Sequence, residues 1–328
     1  MKSRAIWMSM VGVIFLGTLA NLALAQDYPR KPVRMIVPFP PGGPVDILAR
    51  ALGEGFREQT GQGFVLDHKP GANTVIAATA CKGGDREGYT LCLLNSASVS
   101  LNQFLYNKLS YDPEKDFEPV TNAVYAQGVL IMNRNVPANS FKELVEYSKQ
   151  NPAKLNYASL GIGGDSHLLL EWIKDKTGAS MTHIPFAGSA PAMLAFERGD
   201  VHLTYLVAAP DIIERIKTGQ AKAILIPGSS RNPNLPDTPN FDDVGLPKFD
   251  TKLFYGVFAP AGTPRALVQR INAELARVIH SPGFHERFLK RGGFEPIGNS
   301  IEDFKVFLAQ DRVRGQELVV KSGVKIDQ

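Results

Sequence analysis

Two glycine-bearing segments hold the residues best placed for chemistry. The first is Phe39-Pro40-Pro41-Gly42-Gly43-Pro44-Val45-Asp46, set between an apolar strand-like run over 33–39 and a helix-like run through Val45, Leu48, Ala49, Leu52 and Phe56. A glycine pair there lets the backbone turn sharply and leaves first-turn N–H groups uncovered at a helix N-terminus. The helix dipole is positive at that end, so such a terminus binds anions. Asp46 falls in the first turn, placed to cap it or to hydrogen-bond a bound group. The second segment, Tyr157-Ala158-Ser159-Leu160-Gly161-Ile162-Gly163-Gly164-Asp165-Ser166-His167, repeats the layout of strand, glycines, acidic residue and helix. Neither turn contains Lys or Arg, so an anion shared by them would rest on backbone N–H groups, each charge-assisted bond contributing about 1.5–3 kcal/mol. The competing reading is a pair of ordinary strand-to-helix turns in which glycine supplies φ > 0.

Other chemistries fit less well. Gly164-Asp165-Ser166-His167-Leu168 superficially resembles the Gly-Asp-Ser-Leu motif of a hydrolase family. That family places its nucleophile near the mature N-terminus and draws its base from a downstream Asp-x-x-His pair, whereas Ser166 is mid-chain and no such pair follows it. No residue is therefore assigned a catalytic role. Gly161-x-Gly163 is not a dinucleotide fingerprint, because Ser166 stands where the third glycine belongs. His68, His183, His202, His280 and His285 show no metal-ligand spacing with Cys or carboxylates, and no cofactor is expected. His167 is read first as a packed structural histidine and second as a donor to a carboxylate. Ser96 and Ser98, in Asn95-Ser96-Ala97-Ser98, follow a strand and are candidate contacts or a hydrated turn. Thr204 and Tyr205 end another strand, with the core as the alternative for Tyr205.

The elements that must position these residues alternate. Strand-like runs fall at 33–39, 63–67, 89–94, 128–132, 155–158, 183–185, 201–206, 221–226 and 254–259, with helix-like runs between most of them. The helix-like run over 166–176 places Leu169, Leu170 and Ile173 on one face, and the one over 263–279 places Leu267, Ile271, Leu275 and Ile279 at steps of four. Such alternation argues α/β sheets with right-handed crossovers. Segments 117–124 and 252–258 are read as crossings between two lobes. The division is residues 26–122 plus 252–328 against residues 123–251, with ligand in the cleft near the carboxyl ends of strands.

Lys2 and Arg4, an apolar run over 5–20 and Ala23-Leu24-Ala25 read as a leader occupying residues 1–25 and cut after Ala25. No Cys follows the cut, which argues against a lipoprotein. The remainder of the 328 residues is long enough for two domains, and the net charge of +4 falls when Lys2 and Arg4 leave. That balance, without a Lys/Arg tract, gives no support to nucleic-acid or membrane-surface binding. The two cysteines, Cys81 and Cys92, suit a disulfide in an exported protein; two buried small apolar residues are the alternative.

Several further motifs accompany these features. They are Tyr28-Pro29-x-Lys31-Pro32-Val33-Arg34, Ile36-Val37-Pro38, and Pro41-Gly42-Gly43-x-x-Asp46-x-x-Ala49-Arg50. Further along stand Pro70-Gly71-Ala72, Asp85-x-x-Gly88-Tyr89-Thr90 and Tyr111-Asp112-Pro113-x-x-Asp116-Phe117-x-Pro119-Val120. Gly161-x-Gly163 with Ser166-His167-Leu168, Pro185-Phe186-x-Gly188 and Gly256-x-x-Ala259-Pro260-x-Gly262-Thr263-Pro264 complete the set. Together, over essentially the whole mature chain, they resemble the substrate-binding receptors of tripartite tricarboxylate transporters, the Bug family of periplasmic solute receptors. The resemblance implies a type II periplasmic-binding-protein fold, α/β, with two Rossmann-like lobes joined by two crossing segments and a ligand cleft between them. It implies a small carboxylate ligand, a dicarboxylate or an aromatic carboxylate, held between Phe39–Asp46 and Gly161–His167. It also implies the membrane subunits of a secondary transporter as partners, with a monomeric receptor in the periplasm. A sensing role on a signalling partner is the alternative. The chain departs from the family pattern at Gly164, where Ser is frequent, and at Phe186-Ala187, where Tyr-Lys is common. Phe186, Ala187 and Gly188 thereby join the candidate ligand contacts, and the loss of a hydroxyl and an ammonium suits a more apolar ligand.

Overall fold

A computed structural model of the chain describes residues 28–247, 253–286 and 293–326. The expected leader, residues 1–25, and Lys252 at the start of the returning crossing lie outside the described residues. Two mixed sheets form two lobes. The first has the order β11-β4-β10-β3-β1-β2 and the second β7-β6-β8-β5-β9. In the first, β1 (Val33–Val37) pairs in parallel with β2 (Phe64–His68) and with β3 (Thr90–Asn95), while β10 (Leu253–Pro260) is antiparallel to β3 and to β4 (Phe117–Ala126). β11 (Phe294–Pro296) closes the edge on β4. In the second, β6 (Asn156–Ser159) pairs in parallel with β7 (Thr182–Pro185) and β8 (Leu203–Val207). There β5 (Gly128–Asn133) is antiparallel to β8 and β9 (Ala221–Leu225).

The helices cover both faces, so the central strands carry apolar runs without alternation; every residue of β3 and β5 is buried. α1 (Pro44–Thr60) returns the chain from β1 to β2, and α2 (Val75–Lys82) precedes β3. α3 (Phe141–Gln150) follows β5, α4 (Asp165–Thr177) joins β6 to β7, and α5 (Ser189–Arg198) joins β7 to β8. α6 (Pro210–Lys217) joins β8 to β9. α7 (Arg265–His280) buries Leu267, Ile271, Leu275 and Ile279 against α1 and β4, the stripe of four-residue steps read from the sequence. α8 (Ile301–Ser322) packs on β4 and on α4, one element of each lobe. Its end places Leu318 and Val319 in the second-lobe core with Leu168, Leu169 and Trp172. Among the described residues no helix is long and apolar enough to cross a membrane.

Two connections set the geometry of the cleft. The segment expected to cross outward at 117–124 is a full strand: β4 stays paired to β10 and β11 as far as Ala126, and β5 begins at Gly128 in the other sheet. The change of sheet therefore falls at Gln127, later than the sequence division at 122/123. β4 and β10 are hydrogen-bonded neighbours, with Leu253 opposite Ala126, so the outgoing strand and the described start of the returning one lie side by side. Both glycine turns occupy topological switch points. β1 sends its chain to β2 on one side while β3 lies on the other, and β6 does the same between β7 and β8. Crevices at the carboxyl ends of such strands are where open α/β sheets bind ligands.

Cys81, in α2, and Cys92, in β3, form a disulfide with their Cα atoms 6.0 Å apart, and both are fully buried. Closing so short a loop stabilises the fold by about 3 kcal/mol in the chain-entropy picture. Intact-mass analysis after alkylation without reductant should find no modified cysteine in native protein; two alkylated thiols would contradict the bridge.

Candidate functional site

The first turn is built and capped from within. Gly42 adopts φ +90°, Gly43 is the extended N-cap of α1, and Pro44 occupies the first helical position, where its missing N–H is not needed. Asp46 Oδ2 accepts from Gly42 N at 3.0 Å and from Arg50 Nε at 3.1 Å. Its Oδ1 lies 3.2 Å from His68 Nε2, and the other ring nitrogen of His68 lies 2.8 Å from Phe39 O. Burial pushes the Asp46 carboxyl up, but the Arg50 and Gly42 hydrogen bonds outweigh it and hold the group below the usual carboxylate range. Asp46 thus fixes the turn and takes up the Gly42 N–H. Among the described residues the N–H groups of Gly43 and Val45 have no acceptor.

The second turn follows the same logic with other groups. Gly161 (φ +135°) and Gly163 (φ +80°) bend the chain after β6, and Gly164 is the N-cap of α4. His167 Nδ1 accepts from Gly163 N at 2.9 Å, Ser166 Oγ accepts from Leu160 N at 3.0 Å, and Gly164 N donates to Gly161 O at 3.2 Å. His167 stacks on His183 with ring centroids 3.8 Å apart, and His183 Nε2 lies 2.6 Å from Ser159 Oγ. Burial lowers the pKa of His167; burial and then His167 lower that of His183 to about 4. The Gly-Asp-Ser-His run is therefore turn architecture: Ser166 holds the turn and His167 packs in a pair of neutral rings. Asp165 is different. Burial raises its carboxyl to about 6 against a partly offsetting Arg314, and the group lines the cleft.

The turns meet the opposite lobe at points where backbone replaces side chain. A Cβ at Gly43 would lie 2.6 Å from Ser189 Oγ, one at Gly188 2.7 Å from Pro40 Cδ, and one at Gly164 2.9 Å from Asn73 Oδ1. The last contact rests on a strained segment, since Gly71, Ala72, Asn73 and Thr74 all have positive φ. Asn102 holds Asn73 in place, accepting from its Nδ2 and donating to its carbonyl. Between the lobes lie three cavities of about 280, 100 and 40 Å³ that share Phe39 and Leu160 as walls.

The candidate residues divide among these places. Phe39, Gly161, Phe186 and Ala187 line the largest cavity; Phe39, Gly42 and Gly43 line the second; Gly164, Asp165, Ser166 and Tyr205 line the smallest. Pro41 is exposed beside the first turn, and Gly163 turns toward Leu105 and Ile326. Ser96 donates to Asp311, Ser98 bonds Asn95 and Thr74, and Thr204, fully buried, donates to Ala158 O; these three lie beneath the cleft and line none of the cavities. Residues not singled out in the sequence also line the cleft, among them Asn73, Leu160, Ser189, Met193, Arg215 and Tyr255. Asn73 had a signal in the preceding Pro70-Gly71; Tyr255 and Arg215 had none, being brought in by the return strand and by α6. Among the described residues no group of three or more His, Cys, Asp or Glu side chains is arranged to hold a metal.

This fold and cleft have close counterparts. The model of the tripartite tricarboxylate transporter family receptor matches residues 48–324. The periplasmic binding protein BugD is 33% identical, with a TM-score of 0.85 over 92% of this chain and all of its own. Rpa4515 of R. palustris, solved with adipate, is 29% identical, with a TM-score of 0.86 over 92% of this chain and all of its own. MatC from Rhodopseudomonas palustris, solved with bound malate, is 27% identical with a TM-score of 0.82, covering 89% of this chain and all of its own. The chain belongs to the tripartite tricarboxylate transporter receptor family, a family of solute-binding receptors and not of enzymes, and it has that family's two-lobed periplasmic-binding-protein fold.

The histidine pair makes stability depend on pH with a definite sign. Both rings have folded-state pKa values below the ordinary 6.5, so the unfolded chain takes up protons first as pH falls. Stability is complete above about pH 6.5 and is lost toward pH 4, by on the order of 2 kcal/mol for His183. Asp165, with its raised carboxyl, acts with the opposite sign in the same window, so the informative quantity is a difference. Urea midpoints at pH 7.5 and 4.5 should fall further for the wild type than for His183→Gln; equal falls would contradict the assignment.

Proposed function

We propose that the protein is a periplasmic receptor that closes its two lobes on a small carboxylate and delivers it to the membrane subunits of a tripartite tricarboxylate transporter. The observation that carries this reading is the cleft itself. Two glycine turns at two topological switch points border the cleft, and among the described residues N–H groups at the start of α1 have no acceptor. Helix N-termini of this kind stabilise a carboxylate without a cationic side chain. Phe39, Leu160 and Phe186 give the cleft an apolar wall, which favours a ligand with an apolar body, an aromatic carboxylate or the methylene chain of a dicarboxylate. The adipate and malate found in relatives belong to that chemical class. We assign the grip to Gly43, Val45, Ser166 and His167, with Phe186 and Ala187 at the far end of the cleft setting the choice of body.

The distribution of N–H partners refines the two-sided grip expected from the sequence. Gly42 N and Gly163 N are already taken by Asp46 and His167. The grip therefore falls to N–H groups further into each helix, Gly43 and Val45 at the start of α1 and Ser166 and His167 at the start of α4, none of which has an acceptor among the described residues.

A thermal-shift screen of mono-, di- and aromatic carboxylates identifies the ligand, because binding to the native state raises stability as RT ln(1 + [L]/Kd). The variant Gly43→Val tests the site. Gly43 has a φ of −91°, open to any residue, so each lobe should fold normally, while the new side chain blocks Ser189 across the cleft. Calorimetry should show every carboxylate weakened together by at least about 100-fold. A folded variant with unchanged affinity would place the anion elsewhere.

A further inference from the structure

α8 carries apolar residues on two opposite sides. The inner side, with Ile301, Phe304, Leu308 and Leu318, is buried against β4 and α4. The outer side carries Val306, Val313 and Val320, which are 60, 62 and 74% exposed and are the three most exposed large hydrophobic side chains among the described residues. They lie seven residues apart, a spacing that keeps them on one side of a helix. The other exposed positions between Val306 and Val320 are Ala309, Gln310, Gln316 and Glu317, so the middle of this face carries a single charged residue. Valine suits a water-facing helical position poorly, because its branched β-carbon loses rotamer freedom there and Ala, Glu or Lys form helix better. Packing normally compensates for that loss, and among the described residues nothing covers this face.

The face is complementary to itself. Val313 lies midway between the other two valines, so a two-fold axis through it would set Val306 of one copy against Val320 of another. The charged ends complete the match. Glu302 and Asp303 are exposed in the first turn of α8, Lys321 is exposed in its last turn, and Lys325 is exposed just beyond. An antiparallel pair places Glu302 opposite position 324 of the other copy, between Lys321 and Lys325, and aligns the two helix dipoles favourably. A parallel pair would bring like ends together. Lys305, opposite Lys321 in the antiparallel arrangement, is paired with Glu118 at 3.1 Å. Glu302 meets Arg265 at 3.5 Å and Lys321 meets Glu317 at 3.3 Å, but these are pairs of exposed side chains, which hold weakly in water and are free to exchange partners.

We propose that the outer face of α8 binds a second copy of this chain, the two helices packing antiparallel about Val313 with their charged ends crossed. An apolar centre inside a charged rim is how protein interfaces are built. One helix face falls short of the roughly 800 Å² per partner of a stable complex, so the association is weak and depends on concentration. It replaces the single copy expected from the sequence resemblance. No residue of α8 lines any of the three cavities, so pairing and ligand binding use separate surfaces, and the proposal stands apart from the carboxylate-receptor reading.

Sedimentation velocity from about 1 µM to about 1 mM tests this. The average mass of the wild type should rise with concentration toward that of a dimer. Val313→Glu sets two like charges on the axis and should weaken association by at least about tenfold, with an unchanged melting temperature reporting that it folds. Charge exchange tests the direction of pairing. Glu302→Lys and the double variant Lys321→Glu/Lys325→Glu should each associate more weakly than the wild type. An equimolar mixture of the two should regain wild-type association, because both crossed ends are then matched again. A wild type that stays monomeric throughout, a folded Val313→Glu protein that associates like the wild type, or a mixture no tighter than its components would overturn the proposal.

Discussion

The structure depends on a close approach: at three places a β-carbon on a glycine of one lobe would lie within 3 Å of the other lobe. Gly43 faces Ser189 Oγ and Gly164 faces Asn73 Oδ1, polar side-chain ends that a methyl group would turn aside, while Gly188 faces the Pro40 ring, which has no such freedom. Two of these glycines are needed for what they lack and not for an unusual backbone, since Gly43 and Gly164 are both extended N-caps. This contact brings the N-termini of α1 and α4 to opposite sides of the cleft, where the proposed carboxylate would lie. In the closure proposed above, the adjacent strands β4 and β10 would let this contact form and release, through small torsional changes near Gln127 that move one lobe as a body.

A second theme is how the turns spend their own hydrogen-bonding capacity. Asp46 and His167 are polar residues in the first turn of a helix beside glycines, and a ligand contact was one of two readings of each in the sequence. Each reaches back four residues to its own turn, Asp46 to Gly42 N and His167 to Gly163 N, and makes it rigid. The polar groups left facing the space come largely from distant parts of the chain, Asn73 from the strained loop before α2 and Tyr255 from the return strand. Rigid turns with little free capacity suit a receptor whose selectivity lies in the few remaining side chains.

The alternation of strands and helices was readable because most buried strands are largely apolar runs and helices such as α1 and α7 have a stripe at helical spacing. Other elements escaped. β4 contains Pro119 and Asn122, which lower its strand signal, and it read as a connector although it sits inside the first sheet. α8 exposes Val306, Val313 and Val320 and buries Asp311, so its apolar face is blurred exactly where periodicity would reveal it. In the site, glycine positions were legible because turns constrain residue type. Ser96, Ser98 and Thr204 were placed by the rule that strand ends reach the cleft; burial and internal hydrogen bonds direct them elsewhere. Tyr255 and Ser189 join the site through tertiary contact alone, which no local pattern encodes.

Small-angle scattering with and without a saturating carboxylate tests the central claim, that the lobes close on ligand through these glycine contacts, most directly. The wild type should contract, with a smaller radius of gyration in the presence of ligand. The variant Gly188→Val, whose side chain would meet Pro40, should keep the larger radius under both conditions. A wild-type profile unchanged by a ligand shown to bind, or a Gly188→Val protein that contracts like the wild type, would contradict the account.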